Sequence, residues 1–285
     1  MHVTTMKVVL FCGGLGLRML EASARIPKPM VPIGTRPVLW HVMKYFAHFG
    51  HKDFILCLGH KAEVIKEFFL TYNEALSNDF VLEGGPRNVE LLSSDAHDWR
   101  ITFVDTGLRA TVGERLKAVE KHLEGEEYFL ANYGDVLTDA PLPDMIDTLQ
   151  TSGKTASFLC VRPQYSFHVV QIDEARPVVR EVQDVTQAGL WINGGYFVLR
   201  HDVFESLGEG EDLVNEPFHR LIAEEQLLGY RYEGFWAPMD TLKDKHNLEA
   251  LLETGRAPWR VWERRIGVEH DALPVDWSFL EYVGE

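Results

Sequence analysis

An α/β fold built from βαβ units is predicted by three features of this 285-residue sequence. Apolar runs of strand length alternate with helix-patterned segments, a glycine-rich turn closes the first run, and no repeat or low-complexity linker divides the chain. The first run, Lys7-Val8-Val9-Leu10-Phe11, is the continuous apolar type that a strand buried on both faces needs. Val38 to Phe49 then reads as a helix, Phe54 to Leu58 as a strand, and Glu63 to Tyr72 as a second helix. Further strands are expected at Ile101–Val104, Tyr128–Ala131, Ser157–Val161, Val178–Val182, Tyr196–Leu199 and Gly229–Tyr232. Glu83 to Ser94, with Gly84-Gly85-Pro86 inside it, reads as an excursion from the sheet, a hairpin or a lid. After about residue 250 the composition turns to tryptophan and charge, at Trp259, Trp262 and Trp277. The expected division is therefore a domain over residues 1–250 and an appendage over 251–285 that packs on the core or on a neighbouring subunit.

A hydrophobic content of 46% supports a substantial core. Acidic residues outnumber basic ones by 43 to 28, so a net charge of -15 excludes a general polyanion-binding surface, and no nucleic-acid partner is expected. Any phosphate must be met by locally placed cations or by a metal ion. Cys12, Cys57 and Cys160 each lie in or beside a strand-like run and form no Cys-x-x-Cys pair, which reads as small buried hydrophobes in a reducing compartment. The first residues carry no apolar leader, and no run approaches the roughly eighteen apolar residues of a membrane span, so a cytoplasmic location is expected.

The segment Gly13-Gly14-Leu15-Gly16-Leu17-Arg18, with Lys28 ten residues on, directly follows the first strand. Glycines let the backbone turn tightly and bring N–H groups against phosphate oxygens, and Arg18 and Lys28 add the positive charge that a departing pyrophosphate requires. Two competing phosphate motifs fail on spacing. The dinucleotide fingerprint needs glycine where Met19 stands, and a P-loop ending in Gly153-Lys154-Thr155 needs glycine where Thr148 stands. Tyr133-Gly134-Asp135 follows the strand Tyr128–Ala131, which puts Asp135 at a strand's carboxyl end beside the glycine loop. Asp240 follows another strand, next to Pro238. Two aspartates from distant parts of the chain suit Mg²⁺, which prefers carboxylate and phosphate oxygens; either one alone also fits a turn or a helix cap.

These residues resemble the sugar-phosphate nucleotidyltransferases, and most closely the glucose-1-phosphate cytidylyltransferases. The resemblance is carried, in order, by the glycine loop, Pro27-Lys28-Pro29-Met30-Val31-Pro32, Leu39-Trp40-His41, Asp105-Thr106-Gly107, Arg115-Leu116-Lys117, Tyr133-Gly134-Asp135, Trp191-Ile192-Asn193-Gly194-Gly195, Gly234-Phe235-Trp236 and Met239-Asp240-Thr241. It implies a Rossmann-like, mixed, mostly parallel sheet flanked by helices. It also implies a reaction in which an acceptor's phosphate oxygen attacks the α-phosphorus of a nucleoside triphosphate and expels pyrophosphate, with no covalent enzyme intermediate. On that resemblance Gly13, Gly14, Leu15 and Gly16, together with Arg115 and Gly134, hold the nucleotide, CTP above UTP or dTTP. Arg18 and Lys28 hold the triphosphate, and Asp135 and Asp240 hold Mg²⁺. Asn193, Gly194 and Glu216 face the acceptor. Oligomers of one chain are expected.

The acceptor half departs from the family pattern. A Glu-Lys-Pro whose lysine grips the sugar phosphate reads here Gln183-Asp184-Val185, and an Arg-Phe-Gly reads Ser166-Phe167-His168. Asp184 places negative charge where a dianion is expected. Gln183, Asp184 and His168 are therefore candidate residues of an altered acceptor site, with Arg176 or Arg180 as substitute cations. The expected acceptor is a phosphorylated or phosphonate compound other than glucose 1-phosphate. A non-catalytic nucleotide-binding or regulatory chain is the alternative.

Overall fold

The computed structural model describes residues 5–14, 26–85, 88–164 and 167–263. Its strands are β1 (Lys7–Phe11), β2 (Pro32–Ile33), β3 (Arg36–Pro37), β4 (Asp53–Leu58), β5 (Phe80–Leu82), β6 (Val89–Leu91), β7 (Arg100–Asp105), β8 (Tyr128–Asn132), β9 (Val136–Thr138), β10 (Ala156–Val161), β11 (His168–Ile172), β12 (Val179–Asp184), β13 (Ile192–Arg200), β14 (Leu227–Tyr232) and β15 (Trp236–Pro238). The α-helices are α1 (Val38–His48), α2 (Ala62–Leu70), α3 (Val112–Val119), α4 (Leu142–Ser152), α5 (Glu216–Ala223) and α6 (Leu242–Glu253). Seven strands form the central sheet in the order β14-β10-β13-β8-β1-β4-β7. β8, β1, β4 and β7 run parallel, as do β10 and β14, while β13 runs antiparallel to both its neighbours. The sheet is thus mixed and mostly parallel, as the sequence implies.

Alternation along the buried strands builds two cores, one on each sheet face. Val8 and Leu10 of β1 face α1 and α4, where Leu39, Met43, Phe46, Met145 and Leu149 are buried with them. Val9 and Phe11 face the other way, onto Leu116 and Val119 of α3 and Phe218 and Leu221 of α5. Helix starts are fixed locally. Thr111 and Glu114 form a capping box on α3, and Thr241 and Asp244 form one on α6. Gly153 ends α4 in the left-handed conformation, φ +65°, that side chains resist.

Three expectations need adjustment. The Val178–Val182 strand exists, but as β12 of a hairpin with β11 outside the central sheet; β-branched residues signal extended backbone and not the identity of the partner strand. The excursion before Ser94 contains the hairpin β5–β6, with Phe80, Leu82 and Val89 exposed. Residue 250 lies inside α6. Beyond that helix Trp259 is buried, stacks on Phe235 and donates from Nε1 to His41 Nδ1 at 3.4 Å, and Trp262 meets the edge of Trp40; Trp277 lies outside the described residues. Cys12 and Cys57 are buried and Cys160 half-buried. Among the described residues no helix is long and apolar enough to cross a membrane.

Candidate active site

The carboxyl edge of the sheet opens into a cavity of about 590 Å³. One strand runs against its neighbours, and that reversal brings a second wall to the same edge. β13 begins where β8 and β10 end, so Ile192, Asn193 and Gly194 line the cavity opposite Cys12, Gly13 and Gly14 from the end of β1.

Gly13 is fixed by a buried cation. Arg115 on α3, 4% exposed, donates from Nη2 to the Gly13 carbonyl at 3.0 Å and from Nη1 to the Leu58 carbonyl at 3.1 Å and Thr106 Oγ1 at 2.7 Å. A Cβ on Gly13 would lie 2.0 Å from Arg115 Nη1, so only glycine fits while the guanidinium holds that place. Burial pulls the Arg115 pKa below the usual arginine value. The expected nucleotide contact is thus, in this structure, also a clamp joining the ends of β1, β4 and β7.

The two aspartates arrive by separate routes and meet. At the end of β8, Asn132 Oδ1 accepts from Gly134 N at 2.7 Å, and its Nδ2 donates to the Gly195 carbonyl at 3.0 Å. Gly134 takes φ +78°, with a Cβ position only 3.2 Å from the Phe11 carbonyl, so the backbone can fold over the end of β1 and present Asp135. β9 then pairs with β15, and Met239 N donates to the Asp135 carbonyl at 3.0 Å, which sets Asp240 beside it. Lys28, at the start of a short 3-10 turn, completes the cluster. Its ammonium lies 2.7 Å from Asp135 Oδ2 and is hydrogen-bonded to Asp240 Oδ1. Burial pulls the Lys28 pKa down, but the two carboxylates outweigh it and hold the ammonium above the ordinary lysine value.

Two carboxylates converging on one cation are a donor set suited to a hard divalent ion. Among the described residues no group of three or more His, Cys, Asp or Glu forms a metal cage. A hard divalent ion retains waters and completes its shell with phosphate oxygens.

On the opposite wall Asn193 Nδ2 donates to the Tyr133 hydroxyl at 3.1 Å and its Oδ1 accepts from Gly195 N at 2.8 Å, while Trp236 Nε1 donates to the Gly194 carbonyl at 2.8 Å. The structure therefore brings Gly13, Gly14, Lys28, Arg115, Asp135, Asn193, Gly194 and Asp240 to one cavity, with Gly134 at its base. Leu15, Gly16 and Arg18 lie outside the described residues.

His168, Gln183, Asp184 and Glu216 are not in the cavity lining. His168 pairs with Asp184 at the base of the β11–β12 hairpin, and Glu216 is exposed in the first turn of α5. The hydroxyl and backbone N–H of Thr186 hold the Asp184 carboxyl below the usual carboxylate range, so it stays anionic. The substitute cations are engaged elsewhere: Arg180 Nε donates to Asp173 Oδ2 at 3.1 Å and Arg176 Nη2 lies 3.7 Å from the same oxygen. Tyr133, Trp236 and Asp212 line the cavity without having been singled out. The first two sit inside the quoted motifs, whereas Asp212 lies in a loop with no sequence signal of its own.

Comparison with known proteins points to one family. A family model described as Nucleotidyl transferase matches residues 7–253. A glucose-1-phosphate cytidylyltransferase of Salmonella typhi is 39% identical over 260 residues, covering 90% of this chain and all of that protein. A mannose-1-phosphate guanyltransferase of Saccharomyces cerevisiae is 26% identical over 248 residues, covering 84% of this chain and 62% of the yeast protein. Among solved structures, a UDP-glucose pyrophosphorylase from Acinetobacter baumanii superposes with a TM-score of 0.65 at 18% identity, over 89% of this chain and 96% of that one, which shows the shared fold.

Proposed function

This chain belongs to the nucleotidyl transferase family and is a sugar-phosphate nucleotidyltransferase, and from that premise we propose that it transfers CMP from CTP to a phosphorylated acceptor other than glucose 1-phosphate, releasing pyrophosphate. The observation that carries the reading is the Asp135–Lys28–Asp240 cluster at the floor of the cavity. Mg²⁺ held by the two carboxylates would neutralise triphosphate charge. Lys28 supplies a cation at the same point, so that charge on the leaving pyrophosphate is met by a group already in place, and on the resemblance Arg18 would add a forked one. No side chain forms a bond to the nucleotide, and the rate comes from aligning the acceptor's phosphate oxygen with the α-phosphorus. Asn193, Gly194 and Tyr133 orient the acceptor. The preference for CTP rests on the cytidylyltransferase relatives. The change of acceptor rests on Asp184 and Ser166, which stand where the family pattern that the sequence resembles has cations, although Asp184 itself lies on the β11–β12 hairpin outside the cavity lining. A homo-oligomer completes the proposal.

Pyrophosphate release with Mg²⁺ tests this, across CTP, UTP, dTTP, ATP and GTP against sugar 1-phosphates, other phosphoesters and phosphonates. Release with CTP and a different acceptor is expected. Equal or better turnover of CTP with glucose 1-phosphate would overturn the acceptor assignment, and triphosphate bound but never cleaved would overturn the transfer.

A further inference from the structure

With Asp184 anionic and Arg176 and Arg180 engaged with Asp173, the acceptor's phosphate has no cation on the β11–β12 hairpin. Strand register points to another source. Asn193 of β13 pairs with Cys160 of β10, and Cys160 pairs with Arg231 of β14, so these three side chains form one row on one sheet face. At about 4.8 Å per strand, Arg231 stands about 10 Å from Asn193; Asn193 lines the cavity, and Arg231, Arg162 and Trp191 lie just outside that lining.

The next row, nearer the strand ends, holds Trp191 and Arg162. Arg162 Cζ lies 3.8 Å from the Trp191 ring centroid and Arg231 Cζ 5.7 Å from it. Arg162 also donates to the Leu190 carbonyl at 3.3 Å and lies 3.4 Å from Glu233 Oε1, a carboxylate 71% exposed and so well screened by water. Arg231 has no carboxylate of the described residues within 4.0 Å. In a chain of net charge -15, two guanidiniums gathered on one indole are unusual company. The ring lies against the π surface of Arg162, whose only acidic partner among the described residues is the water-screened Glu233, while Arg231, farther out, keeps its N–H edge for an anion.

We propose that Arg162 and Arg231, gathered about Trp191, form the anion subsite of the acceptor half and take a phosphate-like group of the acceptor. This rests on the transfer reading above. The group is either the attacking phosphate or a second anion about one sugar ring farther out, and guanidinium recognition is the same for both.

Inorganic phosphate is the first probe, titrated against the full-length protein while tryptophan emission is followed, with Trp191→Phe assigning the signal. Arg231→Gln and Arg162→Gln are each expected to weaken phosphate binding about tenfold, Arg231→Lys to recover part of it, and CTP binding to stay unchanged. In turnover, the same variants should raise the acceptor KM and leave the CTP KM alone. A rise for singly phosphorylated acceptors identifies the attacking phosphate, and a rise confined to acceptors with a second anion identifies the distal group. Equal phosphate affinity in the wild type and both glutamine variants overturns the subsite. Phosphate bound at these arginines with no acceptor turned over would instead overturn the transfer reading and leave the subsite standing.

Discussion

Replacing Arg115 by lysine should damage the fold and the nucleotide site together, in proportions that the structure sets. The guanidinium makes three hydrogen bonds, to the Gly13 and Leu58 carbonyls and to Thr106 Oγ1, from a position 4% exposed. A lysine ammonium cannot span three acceptors arranged for a planar fork. At least one buried carbonyl then loses its partner, at about 1–3 kcal/mol, and the lost charge-assisted bonds add a comparable amount. The buried lysine ammonium is at least as costly to desolvate as the guanidinium, so nothing offsets this and the expected loss is about 3 kcal/mol, against the 5–15 kcal/mol total of an ordinary domain.

The Arg115→Lys variant therefore folds, with a lower denaturant midpoint. The Gly13 loop also loses its tether, and the nucleotide KM should rise about tenfold while the acceptor KM holds. Gly13→Ala places a methyl 2.0 Å from Arg115 Nη1 and should mimic this, and the double variant Gly13→Ala with Arg115→Ala should be less damaged than the sum of its parts. Denaturant titration and steady-state kinetics on the wild type, Arg115→Lys, Arg115→Ala, Gly13→Ala and the double variant check the reasoning. Additive stability losses with an unchanged nucleotide KM would refute it.

Three other outcomes are expected. Lys28→Met should reduce pyrophosphate release at least about a hundredfold while circular dichroism stays native, because it removes the cation between Asp135 and Asp240. Chelation of divalent ions should abolish pyrophosphate release and restored Mg²⁺ should return it, since two carboxylates alone are a poor match for the charge of a triphosphate. Acid should destabilise the fold through two buried histidines. Burial pushes His41 and His51 down to about 4, so their neutral forms contribute stability that is fully present above about pH 6.5 and is lost as pH falls toward 4. At about 1.4 kcal/mol per unit, each contributes at most about 3 kcal/mol. His51→Asn should flatten the fall in denaturant midpoint between pH 7 and 4.5, and an unchanged slope would count against the assignment.

The central strands were legible because burial on both faces leaves nearly unbroken apolar runs such as Val8 to Phe11, and Gly13 and Gly14 could be expected at the sheet's carboxyl edge because they directly follow the first of them. Asp135 and Asp240 could each be proposed from the strand that precedes it. Their meeting could not, since it depends on β9 pairing with β15 about a hundred residues later. Arg115 shows the same limit more sharply. Its partners Leu58 and Gly13 lie 57 and 102 residues away, and nothing local distinguishes a buried clamp from a surface cation on an amphipathic helix. On the acceptor side, the family resemblance directed attention to Gln183, Asp184 and His168, which the register then placed on a side hairpin. The row from Asn193 to Arg231 exists only through cross-strand pairing.

The reversed direction of β13 has a consequence for how such a protein can diversify. Its first residues line one wall of the cavity, and the β11–β12 hairpin, a separate two-stranded sheet, precedes them in the chain, whereas Gly13, Gly14, Lys28 and both aspartates hang from other strands and turns. Lengthening, shortening or exchanging the segment between β10 and β13 would change what the cavity admits without disturbing the Asp135–Lys28–Asp240 cluster. The chain behaves as a tool with a fixed shank and an interchangeable bit, and grafting that segment between relatives should move acceptor choice while nucleotide choice stays behind.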